Sequence, residues 1–230
     1  MKNLNLSLLL LFCLQISHSQ MIQYADGSSQ SMSNVFVNIN SNENSNIKGS
    51  KYINETFIST KISSMPSQIF GVRYNVFSDE MEFQGIDNKI YALNKNDVTV
   101  VVTFTETNDS YYIFNYLDDN SIQKKGYFMK LNSKGKNLLL KKNRIVFFEE
   151  QASKTGYDAP KPAMYKTMKD RIYIKLGDND AVLMPTKKSK LAKQIFPDNE
   201  KEVLKFIKSN KIKLKNEEDL NKLVEFTQTL

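Results

Sequence analysis

From Tyr52 to Met184 apolar residues recur in short runs at every second position, whereas after Pro185 they recur at every third or fourth. The first period places one side-chain set on each face of a strand; the second draws a stripe along a helix. The clearest strand is "VTVVVTF", where Val98, Val100, Val102 and Phe104 alternate with Thr99, Val101 and Thr103. Ordered β-structure is expected to begin near Tyr52, with "ETFISTKI" as the first strand and Met65-Pro66 as its break. "DNKIYAL" adds a short strand, and "RIYIKL" with "AVLM" flanks the turn "GDND" in a last hairpin. The run "SYYIFNYL" is apolar on both faces, as a central strand covered on both sides requires.

Two hairpins carry an expected register. In "FGVRYNVFSDEMEFQ", a turn at Ser78-Asp79 sets Val76 against Met81, Tyr74 against Phe83, Asn75 against Glu82 and Arg73 against Gln84. Glu80, Glu82, Asn75 and Arg73 then share a polar face that solvent explains. In "KKGYFMKLN" and the "LLLKK" that follows, a turn at Lys134-Gly135 sets Leu131 against Leu138 and Met129 against Leu140, leaving Lys130 and Lys141 together on the other face. "RIVFF" continues or pairs with that edge. Residues 149–168 hold two prolines and no periodicity, and are expected to form a long loop.

Past Pro185, "KKSKLAKQIF" predicts a helix that stops at Pro197. "DNEKEVLKFIKSN" opens on acidic and Asn caps and gathers Val203, Leu204, Phe206 and Ile207 on one side. "NEEDLNKLVEFTQTL" repeats the device, with Asn216 as cap and Leu220, Leu223, Val224 and Phe226 as stripe. Such stripes need a partner to bury against. The expectation is an α+β fold: a mainly antiparallel sheet, forming a curved sheet, roll or partly open barrel over residues 51–185, with two or three C-terminal helices in residues 186–230 packed on it.

The N-terminal residues change the chemistry that is possible. Lys2 followed by the apolar run Leu6 to Ile16, with small residues at Ser17 and Ser19, reads as a signal peptide over residues 1–19, cut near Ser19. A lipidated Cys13 is disfavoured by bulky Phe12 before it. Residues 20–50 form a Ser/Asn-rich lead-in read as flexible. No other run approaches the ~20 apolar residues of a membrane-spanning helix, so an extracytoplasmic protein, periplasmic or secreted, is expected. Cys13 and His18 are the one Cys and the one His of the chain. Their removal excludes a Ser-His-Asp triad, a Cys-His pair, any disulfide, and zinc or haem sites built on nitrogen or sulfur.

Carboxylates, hydroxyls, Lys, Arg and Tyr remain. Asp79, Glu80 and Glu82 would suit a carboxylate hydrolase, but the expected polar face accounts for them, and the chain has no Trp to offer a sugar. Asp178 and Asp180 in "GDND" would offer oxygens to calcium, yet a turn explains them and the longer ligand series is missing. Ser133-Lys134 and Ser153-Lys154 place hydroxyl beside amine without a strand-turn-helix elbow. No metal or other cofactor is expected.

The formal net charge is +7, and Ser121 to Phe148 is its most lopsided stretch: Lys124, Lys125, Lys130, Lys134, Lys136, Lys141, Lys142 and Arg144 without one acid. A basic face built on Lys124, Lys125, Lys130, Lys141, Lys142 and Arg144 would suit an anionic envelope polymer or lipid headgroups. Edge lysines that block sheet-to-sheet aggregation need no ligand. Export and the absence of a nucleic-acid fingerprint argue against nucleic acid.

The succession "GSKYINETF", "RYNVFSDEMEF", "GYFMKL" and "FPDNEKEVLKFIKSNKIKLKNEEDLNKLVEF" resembles short secreted proteins typical of the Bacteroidetes that carry no assigned function. The resemblance runs from about Gly49 to the C-terminus and implies export and one β-rich unit with a helical end. The expected function is a non-enzymatic exported binding or envelope-associated protein. A carrier holding an apolar or lipid ligand in a curved sheet lined by Tyr112, Phe114, Met129 and Leu140 is the alternative, and a carboxylate hydrolase the last.

Overall fold

A computed structural model describes residues 36–38, 47–85, 88–132, 134–153 and 159–230. The expected leader and most of the lead-in lie outside the described residues. Among the described residues thirteen strands are present: β1 (Phe36–Asn38), β2 (Ile58–Ile62), β3 (Ile69–Asn75), β4 (Glu80–Gln84), β5 (Ile90–Leu93), β6 (Val101–Phe104), β7 (Ser110–Leu117), β8 (Gln123–Lys130), β9 (Leu138–Lys142), β10 (Ile145–Phe148), β11 (Met164–Thr167), β12 (Arg171–Lys175) and β13 (Val182–Leu183). The α-helices among the described residues follow them: α1 (Lys188–Ile195), α2 (Glu200–Ser209) and α3 (Glu217–Thr227). The fold is α+β with a mainly antiparallel, curled sheet.

Eleven strands join in the order β1-β5-β4-β3-β2-β6-β7-β8-β9-β12-β13, and β10-β11 form a separate ribbon. The last hairpin turns back: Ala181, just before β13, makes a parallel bridge to Tyr116 of β7, with Leu117 N donating to Ala181 O at 3.0 Å and Ala181 N to Asn115 O at 2.9 Å. β7, β8, β9, β12 and the β13 segment therefore close into a small ring. Phe128, Leu140, Tyr173 and Ala181 are buried in one cluster on its inner face, with Phe114, Tyr116 and Leu138 packed around them.

The other face of the sheet serves two further cores. Phe70, Val72, Tyr74, Met81, Phe83, Val102, Tyr111, Ile113 and Tyr127 interlock across β3 to β8, while Leu139 of β9 and Ile174 of β12 meet the helix stripes through Leu191, Val203, Ile207, Leu220 and Leu223. Each such buried side chain contributes about 1.5–3 kcal/mol. The two-sided burial expected of "SYYIFNYL" is what β7 shows, with Tyr111 and Ile113 on one face and Phe114 and Tyr116 on the other. Asn216 caps α3 by accepting from Asp219 N at 2.9 Å, and Phe206 of α2 stacks on Phe226 of α3 with ring centres 4.1 Å apart.

Several local expectations are corrected. The β3-β4 register is Tyr74 to Met81, Arg73 to Glu82 and Asn75 to Glu80, two residues from the expected pairing. A two-residue slip preserves faces, so the apolar partners still meet. The other face is not solvent-exposed: Glu82 is 1%, Asn75 5% and Arg73 9% exposed, covered by Tyr52 and Phe57. The β8-β9 register is Met129 to Lys141 and Lys130 to Leu140, one residue off. That slip does change faces, and Lys130 and Lys141 lie on opposite sides of the sheet. "RIVFF" forms β10, which pairs not with the main sheet but with β11, a strand inside the stretch expected to be loop. Phe36–Asn38, within the lead-in, pairs with β5 at the sheet edge.

Candidate functional site

β8 and β9 part company after two paired residues, because β9 leads at once into the Asn143-Arg144 corner and β10. The split leaves the backbone of Tyr127 without a strand partner on that side. The gap is filled by an ion pair from elsewhere in the chain. Asp79, in the β3-β4 turn, accepts from Tyr127 N at 3.4 Å and from Tyr74 Oη at 2.6 Å through Oδ1, and from Lys142 Nζ at 2.8 Å through Oδ2. Lys142 Nζ also donates to Tyr127 O at 3.3 Å. The pair thus substitutes for the missing ladder bonds. Asp79 sits at φ 60°, a left-handed conformation that Asp tolerates, and Gly126 leaves the room: a Cβ there would lie 2.6 Å from both Asp79 Oδ2 and Lys142 Nζ.

Lys142 lies above the rings of Phe128 and Tyr116, 4.7 and 5.1 Å from their centres. Burial lowers its affinity for a proton, opposed by the Asp79 charge. Burial likewise pushes the Tyr116 phenol up to about 12 and the Tyr74 phenol well above its usual value, with Asp79 adding to the effect.

Above this pair opens a cleft of about 300 Å3, set where the ring, the β3-β4 turn and the β10 ribbon meet. Four cations line it, Lys124, Lys142, Arg144 and Arg171, with three carboxylates, Asp79, Asp118 and Asp119. Each carboxylate is taken: Asp79 by Lys142, Asp118 by Lys124 at 2.7 Å, and Asp119 by Arg171 at 2.8 Å. Arg144 has no ion pair or side-chain hydrogen bond among the described residues, and the Tyr116 hydroxyl and the Asn120 side-chain amide are likewise unengaged. On the wall beside them stands Phe77, 48% exposed. Phe147 and Tyr165 of the ribbon hold its ring edge-on, with centres 6.3 and 5.2 Å away.

The basic block is therefore divided by the fold. Lys124, Lys142 and Arg144 line the cleft; Lys125 reaches Asn96 O; Lys130 lies over the Tyr112 ring, 4.0 Å from its centre; Lys141 is on the opposite face. Phe77, Asp118, Asp119, Arg171 and Tyr173 join the site without any signal in sequence spacing, since they come from turns and strands far apart in the chain.

The remaining candidates separate as well. Of the acidic cluster only Asp79 lines the cleft. Glu80 pairs with Lys95 at 2.7 Å, and its proton affinity is raised chiefly by burial. Glu82 accepts from Tyr52 Oη at 3.1 Å, Arg73 Nε at 2.9 Å and Asn75 Nδ2 at 2.8 Å. Three donors on a buried carboxylate make a structural junction. Asp180 accepts from Gln123 Nε2 at 2.7 Å, and among the described residues no group of three or more metal-ligating side chains converges. Ser133 and Lys154, one member of each Ser-Lys dipeptide, lie outside the described residues. Of the residues expected to line an apolar cavity, Tyr112, Phe114 and Leu140 share one face while Met129 is on the other, and on the first of these faces the rings of Phe114, Tyr116, Phe128 and Tyr173 pack edge-to-face. A second concavity of about 580 Å3 is lined by Leu131, Asn132, Lys134 and Gly135 and by Asn221, Glu225, Gln228 and Thr229 of α3 and its C-terminal end; the Oδ1 atom of Asn221 is buried with no partner among the described residues.

No helix among the described residues is long and apolar enough to cross a membrane. No protein-family model, no curated protein and no solved structure matches the chain.

Proposed function

We propose that the protein is an exported, non-enzymatic binding protein that takes an anionic group of an envelope polymer or lipid in the Arg144 cleft. The observation that carries the reading is the Arg144 guanidinium, without an ion pair among the described residues, in a cleft whose other three cations each hold a carboxylate. An anion entering there neutralises a charge that no described residue pairs, and a guanidinium receives a carboxylate or phosphate through two parallel bonds. The leader reading of residues 1–19 supports an extracytoplasmic setting, and the divided basic block supports a local site rather than a broad charged face.

Binding of the purified protein to acidic and neutral polysaccharides, and to vesicles with and without anionic lipid, tests the reading. Saturable binding confined to anionic partners, weakened by salt and by R144Q, is expected. Binding that ignores the ligand's charge, or that R144Q leaves intact, overturns it.

A further inference from the structure

The cleft contains more than an anion site needs. A bare phosphate or headgroup requires a cation and a few donors. Here a cation without a partner among the described residues stands beside a flat apolar ring, that of Phe77, and beside the Asn120 amide and the Tyr116 hydroxyl, which no described side chain engages. An exposed Phe is costly to keep in water, and this one is fixed in orientation by two rings behind it, 62° to each. The volume, about 300 Å3, sits at the small end of ligand pockets and fits one cyclic unit rather than an acyl chain.

Resting on the anion-binding reading above, we propose that the occupant is an acidic saccharide unit, a pyranose carrying a carboxylate. The ring's C–H face lies on Phe77, the carboxylate meets Arg144, and the hydroxyl rim meets the Asn120 amide and the Tyr116 hydroxyl. A sugar is the ligand class that presents an apolar face, a polar rim and a charge on one small rigid body. Phe77 does here what a Trp would do in a chain that has none.

Calorimetric titration of the purified protein tests the proposal with three probes: a hexuronate oligomer, the same oligomer with its carboxylates reduced to alcohols, and inorganic phosphate. Two variants accompany the wild type, R144Q and F77L. Leu keeps apolar bulk against Phe147 and Tyr165 but removes the flat ring, and unchanged circular dichroism and melting establish that both variants fold. Expected are saturable binding of the hexuronate, none of its reduced form, a roughly ten- to hundredfold loss in R144Q, and an about tenfold loss in F77L that leaves phosphate affinity unchanged. Equal hexuronate affinity in F77L and wild type overturns the saccharide assignment while the anion reading stands. Vesicles of anionic lipid that bind in an Arg144-dependent way while the hexuronate does not bind overturn it in favour of a headgroup. Undiminished binding in R144Q overturns both.

Discussion

Glu82→Gln is the sharpest test of the fold, because it removes one charge and almost no volume. Glu82 is 1% exposed and its two oxygens receive three donors, from Tyr52, Arg73 and Asn75. An amide offers one oxygen and one NH2. If the oxygen stays with Tyr52 and Arg73, the NH2 confronts Asn75 Nδ2, and Asn75 can turn its own oxygen inward only by releasing Ser78 N, which it now accepts at 3.2 Å. In either case the Arg73 guanidinium, 11% exposed along its side chain, loses the carboxylate charge that its Nε meets at 2.9 Å. Breaking a buried pair from one side costs about 3–5 kcal/mol. The Tyr52 and Phe57 rings, 4.0 and 4.7 Å from the guanidinium, still stabilise the cation, so about 3 kcal/mol is expected, or roughly 6–12 °C in melting temperature for a chain of this size. Urea unfolding followed by circular dichroism measures it, with the midpoint shifting at unchanged slope. The double variant R73M/E82L, which removes both charges, is expected to recover most of the loss. A shift below about 1 kcal/mol for E82Q, or a double variant as unstable as the single, would refute the reasoning.

Gly126→Ala drives a methyl into Asp79 Oδ2, Lys142 Nζ and Tyr116 Cε1, at 2.6, 2.6 and 2.9 Å; a loss of about 1–3 kcal/mol by urea unfolding is expected, and wild-type stability would mean that the ion pair does not close on β8 as described. Asn216→Ala removes the α3 cap and is expected to cost about 1 kcal/mol in the same assay, whereas Asn216→Asp, which keeps the acceptor, is expected to cost little. Burial holds the Tyr116 phenol up at about 12 against an ordinary 10.0, and Tyr74 and Tyr127 higher than usual too. The unfolded chain therefore ionises first. The stabilisation is complete below pH 10 and is lost as pH rises through the folded values, so tyrosinate absorbance is expected to appear together with loss of the fold. Ionisation of all tyrosines near pH 10 with circular dichroism unchanged would contradict this burial.

The sequence made the strands and helices legible because period reports burial face. Val102 and Phe104 are inward in β6, and the stripe through Leu220, Leu223 and Val224 is buried on α3. It also made both β3-β4 faces legible as sets, since a two-residue slip leaves alternation intact. The one-residue slip at β8-β9 was out of reach because the 131–137 loop fixes it, through Asn132 donating to Lys134 O and Asn137 O. The polar run Arg73, Asn75, Glu82 reads as solvent-facing in any local window; only Tyr52 and Phe57 folding over it make it interior. The cleft was legible in part. Lys124, Lys142 and Arg144 stand out by charge, but Phe77 and Arg171 reach them through tertiary structure, and which of the cations lacks a partner is a fact of three dimensions.

The bridge from Ala181 to β7 joins segments distant in the chain, and such contacts form only after the entropy of closing a long loop has been met. Until that closure, β7 has an open backbone edge at Asn115 and Leu117, the kind of edge that templates pairing with another chain. The two backbone bonds at Ala181 thus seal, from within the chain, an edge that a second copy would otherwise extend.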